Sequence, residues 1–248
     1  MQKVETNFVK AQYRSGLESY TKLTKTIGLW ESEKYAFQKY LSTTDNILDL
    51  GCGTGRTTFP LYQLGYQNIL GVDLTPEMID MATQLNSHFG TTISFQVGDA
   101  TNLDFPKANF EVVIFSFNGL MSIPDGAKRD QAIKEVNRVL KEKGIFIFTT
   151  HDREQEPEFF DFWKEEEAKW KAGKQNPFLR EFGDIIAHSK NETREIFIHI
   201  PNQQEVSALL HSNSFKVIET FYRSKKFEES EAVKAASGEC RFWVARKR

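Results

Sequence analysis

Three glycines at alternate positions, Gly51, Gly53 and Gly55, follow directly on the apolar run Ile47-Leu48-Asp49-Leu50. The run reads as a short, fully buried strand. A glycine turn after such a strand lets the backbone approach a ligand where a Cβ would collide. The helix expected from about Arg56 then aims its N-terminal N–H groups at the same spot. A dinucleotide turn, G-x-G-x-x-G, would need its third glycine where Arg56 stands. The spacing here is G-x-G-x-G, with Asp49 two residues before the first glycine. Asp73 closes a second apolar run, Asn68 to Val72, 18 residues after Gly55. A carboxylate at that strand tip accepts from both ribose hydroxyls; capping a helix is its other use. A tip position also predicts an exposed side chain. A third acid, Asp99, follows the run Ile93 to Val97 within Gly98-Asp99-Ala100.

Further polar candidates sit where later apolar runs end. Asn118 follows Phe110 to Phe117, and His151-Asp152 follows Gly144 to Thr150. Histidine titrates near neutral pH, which suits a general base; a hydrogen bond at a strand end is the plainer role. His88, His188, His199 and His211 have no metal-ligand spacing, so no metal is implied.

These residues converge only if the runs form one sheet. Strand and helix patterns alternate from 45 to 150, which predicts a parallel sheet with right-handed crossovers and ligands at the carboxyl ends of its strands. Thr75-Pro76-Glu77 starts one helix, with Met78, Ala82, Leu85 and Phe89 inward. Residues 4–41 read as helical around Gly28, packed on the sheet or placed over it as a lid. Residues 154–200 break the rhythm. Pro157 opens a helix to about Ala172 with Phe159, Phe160, Trp163 and Trp170 on its aromatic face, followed by a two-stranded hairpin around Ser189-Lys190-Asn191. Asn202 with Glu205 marks a further helix, and strands at 215–222 and 239–245 close the chain.

The chain has 248 residues, 40% hydrophobic and 27% charged, which suits a globular protein of one domain or of one domain with a cap. No apolar run nears the ~20 residues that cross a bilayer. The start, Met1 to Asn7, lacks a signal peptide's apolar core. With Cys52 and Cys240 as the cysteines, a cytoplasmic, reducing location is expected. The net charge of −2 gives no pull toward nucleic acid.

The glycine turn, Asp73, Gly98-Asp99-Ala100 and the strand at 110–117 together resemble the core of the class I S-adenosylmethionine (SAM) dependent methyltransferases. The resemblance covers roughly 45–150, with weaker support from 201–248. Glu111 stands where the family more often has Asp, and Lys141-Glu142-Lys143-Gly144 replaces a Pro-Gly-Gly turn. The resemblance implies an α/β, Rossmann-like sheet of seven mostly parallel strands, the last antiparallel, with an inserted cap after strand five. The implied division is a helical lid at 1–44, a SAM-binding core at 45–151, the cap at 152–200 and the rest of the core at 201–248. The cofactor would meet Asp49, Gly51, Cys52, Gly53, Gly55, Asp73, Leu74 and Phe117, with adenine at Asp99 and Ala100.

Methyl transfer from the sulfonium to an N, O, S or C atom would follow, with His151 and Asn118 as candidate catalytic groups. The regions that choose the acceptor lie outside the shared core. The cap's aromatic face, Trp163 included, is expected to line an enclosed pocket with Asn118, His151 and Asp152, and Tyr13 or Tyr20 to close it. That predicts a small, partly apolar acceptor, with neither nucleic acid nor membrane as partner. The alternatives are methylation of RNA or protein, which the acidic 154–167 stretch opposes for a basic surface, and SAM binding without turnover. An NAD-dependent oxidoreductase is opposed by Arg56.

Overall fold

The computed structural model describes residues 3–188 and 194–248. Its strands are β1 (Ile47–Leu50), β2 (Ile69–Asp73), β3 (Ser94–Val97), β4 (Phe110–Phe115), β5 (Leu140–Thr150), β6 (Asp184–His188), β7 (Glu195–His199), β8 (Phe215–Tyr222) and β9 (Arg241–Lys247). Seven form one sheet in the order β3-β2-β1-β4-β5-β9-β8, and β6 pairs with β7 apart from it. Strands β1 to β5 run parallel, and β9 lies antiparallel between β5 and β8. The strand order reverses between β1 and β4, and such a point opens a crevice at the carboxyl ends. The turn after β1 and the exit of β4 meet there.

The helices are α1 (Thr6–Ser15), α2 (Leu17–Thr26), α3 (Glu31–Tyr40), α4 (Thr58–Gln63), α5 (Pro76–Phe89), α6 (Gly126–Val139), α7 (Phe160–Lys171), α8 (Gln203–Ser212), α9 (Arg223–Lys226) and α10 (Glu231–Ala236). Side chains alternate across the central strands, so each face of the sheet has its own core. Ile47 and Ile114 pack with Trp30, Phe37, Phe59 and Leu85 on one face. Leu48 and Val113 pack with Ala132, Ile133, Val206 and Leu210 on the other.

Several boundaries differ from the sequence reading. The helix after the glycines begins at Thr58, not Arg56, because Thr54 to Thr57 still belong to the turn. The N-terminal stretch breaks at Gly16 as well as near Gly28, and its parts take different places. Helix α3 packs on the sheet through Ala36 and Phe37, whereas α1 and α2 lie over the crevice. Strand β5 starts at Leu140, but its register jumps from Phe110↔Leu140 to Val112↔Ile145, so the four residues Lys141 to Gly144 bulge out with Lys143 at φ 62°. Glu111 accepts the Asn46 N–H at 2.9 Å and pairs with Lys141, which gives this acid its own structural use. Thr75 sits at the N-cap of α5 without a side-chain cap bond; Asp73 takes its N–H instead. At α8 the Asn202–Glu205 capping box forms in both directions.

The inserted region contains α7 and the β6–β7 pair. The turn expected at Ser189-Lys190-Asn191 lies outside the described residues, as do the first two residues of the chain. Among the described residues, no helix is long and apolar enough to cross a membrane.

Candidate active site

The turn after β1 is fixed by three glycines for different reasons. All have positive φ: 66° at Gly51, 55° at Gly53 and 92° at Gly55. A Cβ on Gly51 would stand 2.6 Å from the Phe115 ring, and one on Gly55 would stand 2.6 Å from Phe59. Those two glycines make room for core rings. A Cβ on Gly53 would meet nothing within 4 Å, so of the three only this Cβ position faces open space. The ligand-approach argument therefore belongs to Gly53, and ring packing accounts for the other two.

Asp73 holds this turn as well as facing the crevice. Its Oδ2 accepts the Gly53 N–H at 2.9 Å, and its Oδ1 accepts the Thr75 N–H at 2.8 Å. The residue is 9% exposed, contrary to the expectation of an exposed strand tip, because the turn folds over it. Burial raises its pKa, and these N–H groups act against the rise. Each oxygen keeps a further lone pair for a ligand hydroxyl. Asp49 is fully buried and accepts from Thr58 Oγ1 at 2.6 Å. Burial pushes its carboxyl up to about 7, against the Thr58 hydrogen bond and the nearby Arg56 charge. Asp99 Oδ1 accepts both the N–H and the hydroxyl of Thr101, at 2.8 and 2.7 Å. Cys52 is a buried free thiol that burial and the two acids keep protonated.

A cavity joins these groups: Asp49, Gly51, Cys52, Gly53, Asp73, Leu74, Asp99, Ala100 and Phe117 line it, whereas Gly55, expected there, does not. Its roof is α1 and α2, through Val9, Tyr13, Tyr20 and Leu23. Hydroxyl pairs latch the roof to the floor: Tyr13 to Ser122 at 2.6 Å and Thr24 to Thr54 at 2.6 Å. Burial, with Tyr20 adding, pushes the Tyr13 phenol well up, so it stays protonated. Tyr13 and Tyr20 rings lie 5.6 Å apart, and Tyr20 meets Phe117 edge-on at 6.3 Å.

Asn118, His151, Asp152 and Trp163 do not line this cavity, which corrects the expectation for each. The His151 Nδ1 faces the Glu239 carbonyl at 2.6 Å, so Nδ1 carries the proton. Its Nε2 is left to accept from the Asn118 amide at 3.2 Å. Burial lowers the His151 pKa and keeps the ring neutral, but its lone pair is already committed. Asn118, at φ 61°, also gives its N–H to Thr149 Oγ1 at 2.9 Å. Asp152 accepts from Tyr222 at 2.8 Å and lies 3.5 Å from Arg241. Trp163 turns into the insert, edge-on to Phe162 and Phe182. Phe159 and Phe160 are 43% and 47% exposed. The insert's inner residues Phe197, Leu179 and Trp170 pack on Val4 and Val9 of the N-terminal segment, so the insert braces the roof rather than lining the cavity.

Sequence reasoning missed Thr24, Thr54, Ser122 and the buried Arg56–Glu33 pair, since nothing in local spacing links them. Glu181, Asp184 and His199 cluster within 4.8 Å. Glu181 Oε1 accepts from Arg129 and the Gly126 N–H, Asp184 Oδ1 accepts from His199 Nδ1, and Asp184 Oδ2 accepts from two backbone N–H groups.

A doubly wound sheet with a glycine turn and a strand-end carboxylate at its switch point defines a Rossmann-like, nucleoside-binding architecture. Residues 47–144 match the family model of a methyltransferase domain. The human EEF1A lysine methyltransferase 2 is 30% identical over 152 residues, 56% of this chain and 64% of that protein. The demethylmenaquinone methyltransferase of Lactobacillus johnsonii is 38% identical over 104 residues, 40% of this chain and 41% of that protein. The chain thus covers less than two thirds of either relative. A crystal structure of a SAM-dependent methyltransferase from Methanosarcina mazei shares the fold, with TM-score 0.70 and 22% identity over 89% of this chain and 99% of that one. Residues 47–144 thus match a methyltransferase domain, in agreement with the class I SAM-dependent methyltransferase resemblance of the core.

Proposed function

We propose that the protein transfers a methyl group from SAM to a small, partly apolar acceptor. The observation that carries this reading is one cavity with two unlike walls: Gly53, Asp73 and Asp99 below, Val9, Tyr13, Tyr20 and Leu23 above. SAM supplies a methyl group on a sulfonium, already a good leaving group. Asp73 would hold the ribose diol with its two remaining lone pairs, and Leu74, Asp99 and Ala100 would border the adenine. Asp49 and the open face of Gly53 would meet the cationic methionine end, beside Cys52 and Phe117; Gly51 and Gly55 would serve by shaping the turn.

Alignment of acceptor and methyl can supply ~7–11 kcal/mol of barrier lowering. The roof would contribute by excluding water and fixing the acceptor. Tyr13, kept protonated, is a hydrogen-bond donor there and takes no proton. His151 has no free lone pair for general-base work, so the reading needs an acceptor nucleophilic without it. In this reading α1 and α2 form the lid, 45–151 with 201–248 the core, and 152–200 the lid's brace.

A second reading, transfer to a protein lysine, is favoured by the name of the human relative. The name of the Lactobacillus relative favours a small acceptor, as does the closed apolar roof. One screen separates them: S-adenosylhomocysteine (SAH) release from SAM with a panel of small phenols, quinols and amines, and with lysine-bearing proteins. Turnover with proteins alone would overturn the small acceptor. SAM and SAH should raise the melting temperature, since they bind the native state. Equal stabilisation by NAD would overturn the cofactor assignment, and stabilisation without any turnover would favour a SAM-binding protein.

A further inference from the structure

Arg56 follows the last glycine of the turn, and its guanidinium is buried against a different element. Its Nη2 and Nη1 donate to Oε1 and Oε2 of Glu33 at 2.6 and 2.8 Å. Nη1 also donates to the Gly28 carbonyl at 2.8 Å. Glu33 Oε2 accepts the Trp30 N–H as well, at 3.0 Å. The guanidinium carbon lies 4.9 Å from the Trp30 ring and 5.2 Å from the Phe117 ring.

Three separate segments thus meet on one side chain: the glycine turn, the link between α2 and α3, and the exit of β4. Phe117 holds a left-handed backbone conformation that costs a non-glycine residue and needs outside support, whereas Gly28 takes the same region freely. Gly28 has φ 63°, at the point where the roof joins the core, and Phe117 has φ 53°. Phe117 in turn carries Tyr20 of the roof edge-on at 6.3 Å. Charge alone would not do this. A lysine is a point donor and cannot span both carboxylate oxygens, reach Gly28 and present a flat face to two rings.

We propose that the Arg56–Glu33 pair is a positioning device that sets the roof's hinge at Gly28 and the Phe117 wall against the glycine turn. It holds the two walls of the cavity in register before any ligand arrives. The inference concerns the methyltransferase site and rests on that reading for its ligand readout.

The test uses the full chain as wild type, Arg56→Lys and Glu33→Gln, with hydrogen exchange and calorimetric titration of SAH. In ligand-free protein both variants should exchange about tenfold faster at 6–30 and 115–119, with β1, β4 and β5 unchanged. SAH affinity should fall about tenfold, and saturating SAH should leave the roof of the variants less protected than that of wild type. Two results would overturn the proposal: exchange rising equally across the sheet, or roof exchange and SAH affinity both unchanged. Wild-type protein that binds no SAH would sink the methyltransferase reading, while the ligand-free exchange comparison would still decide the role of the pair. If Arg56→Lys does not fold, Glu33→Gln carries the same comparison, because it keeps shape and one acceptor oxygen.

Discussion

At Asp73 one carboxylate closes a turn and lines the cavity at once. Asp73→Ala would orphan the N–H groups of Gly53 and Thr75 and cost about 1–3 kcal/mol of stability. SAH binding should weaken as well. Denaturant unfolding and calorimetry on the same sample check both, and loss of affinity without loss of stability would mean that the turn does not depend on this residue. Asp49 makes a pH prediction. Burial disfavours its charge and pushes its carboxyl up to about 7 when folded, against an ordinary value of 3.8. Between those values the native state holds a proton that the unfolded chain has lost, so ligand-free stability should fall as pH rises from about 4 to about 7. A ligand ammonium group beside Asp49, present in SAM and SAH alike, favours the charged form. SAH affinity should therefore rise as pH rises through about 7, with proton release, and Asp49→Asn should flatten both profiles. Calorimetry in buffers of different ionisation enthalpy reads the proton directly.

At the scale of the element, the glycine turn separates packing from binding. Gly51→Ala sets a methyl against the Phe115 ring and keeps a left-handed backbone, so a loss of about 2–4 kcal/mol is expected. Gly53→Ala bears only the backbone cost, about 1–2 kcal/mol, but its methyl enters the crevice. Melting temperatures should order the variants one way and SAH affinities the other. The same order in both measurements would mean that Gly53 does not face the ligand.

Across the whole molecule, the roof is held by segments far apart in the chain. The Gln12 side chain on α1 accepts the Phe197 N–H of β7 at 2.9 Å and donates to the Phe197 carbonyl at 3.5 Å. Arg180 pairs with Glu5, and the Val4 N–H donates to the Phe178 carbonyl at 3.0 Å. Gln12→Leu leaves the Phe197 N–H without its partner and should loosen the roof by about 1–3 kcal/mol. Hydrogen exchange should then rise in α1 and β7 together while the seven-stranded sheet keeps its protection. A rise in α1 alone would mean that the insert does not brace it.

The order of strands and helices from 47 to 150, the glycine turn and the acids Asp49, Asp73 and Asp99 were legible in the residues, because apolar periodicity and short spacing are local. Placement of Asp73 at a strand end followed from the same pattern. What lay outside local pattern is the company that side chains keep across long separations. Phe115 needs the space at Gly51, Arg56 reaches Glu33 and Gly28, and His151 gives its lone pair to Asn118. The aromatic content of 157–170 marked the insert, but amphipathicity does not say which neighbour a face meets. Tertiary structure turned Trp163 and Trp170 toward the insert and the N-terminal segment, and left Tyr13 and Tyr20 to cover the cavity. Chain order determined the sheet and the floor of the cavity, whereas its roof arose from packing between segments more than a hundred residues apart.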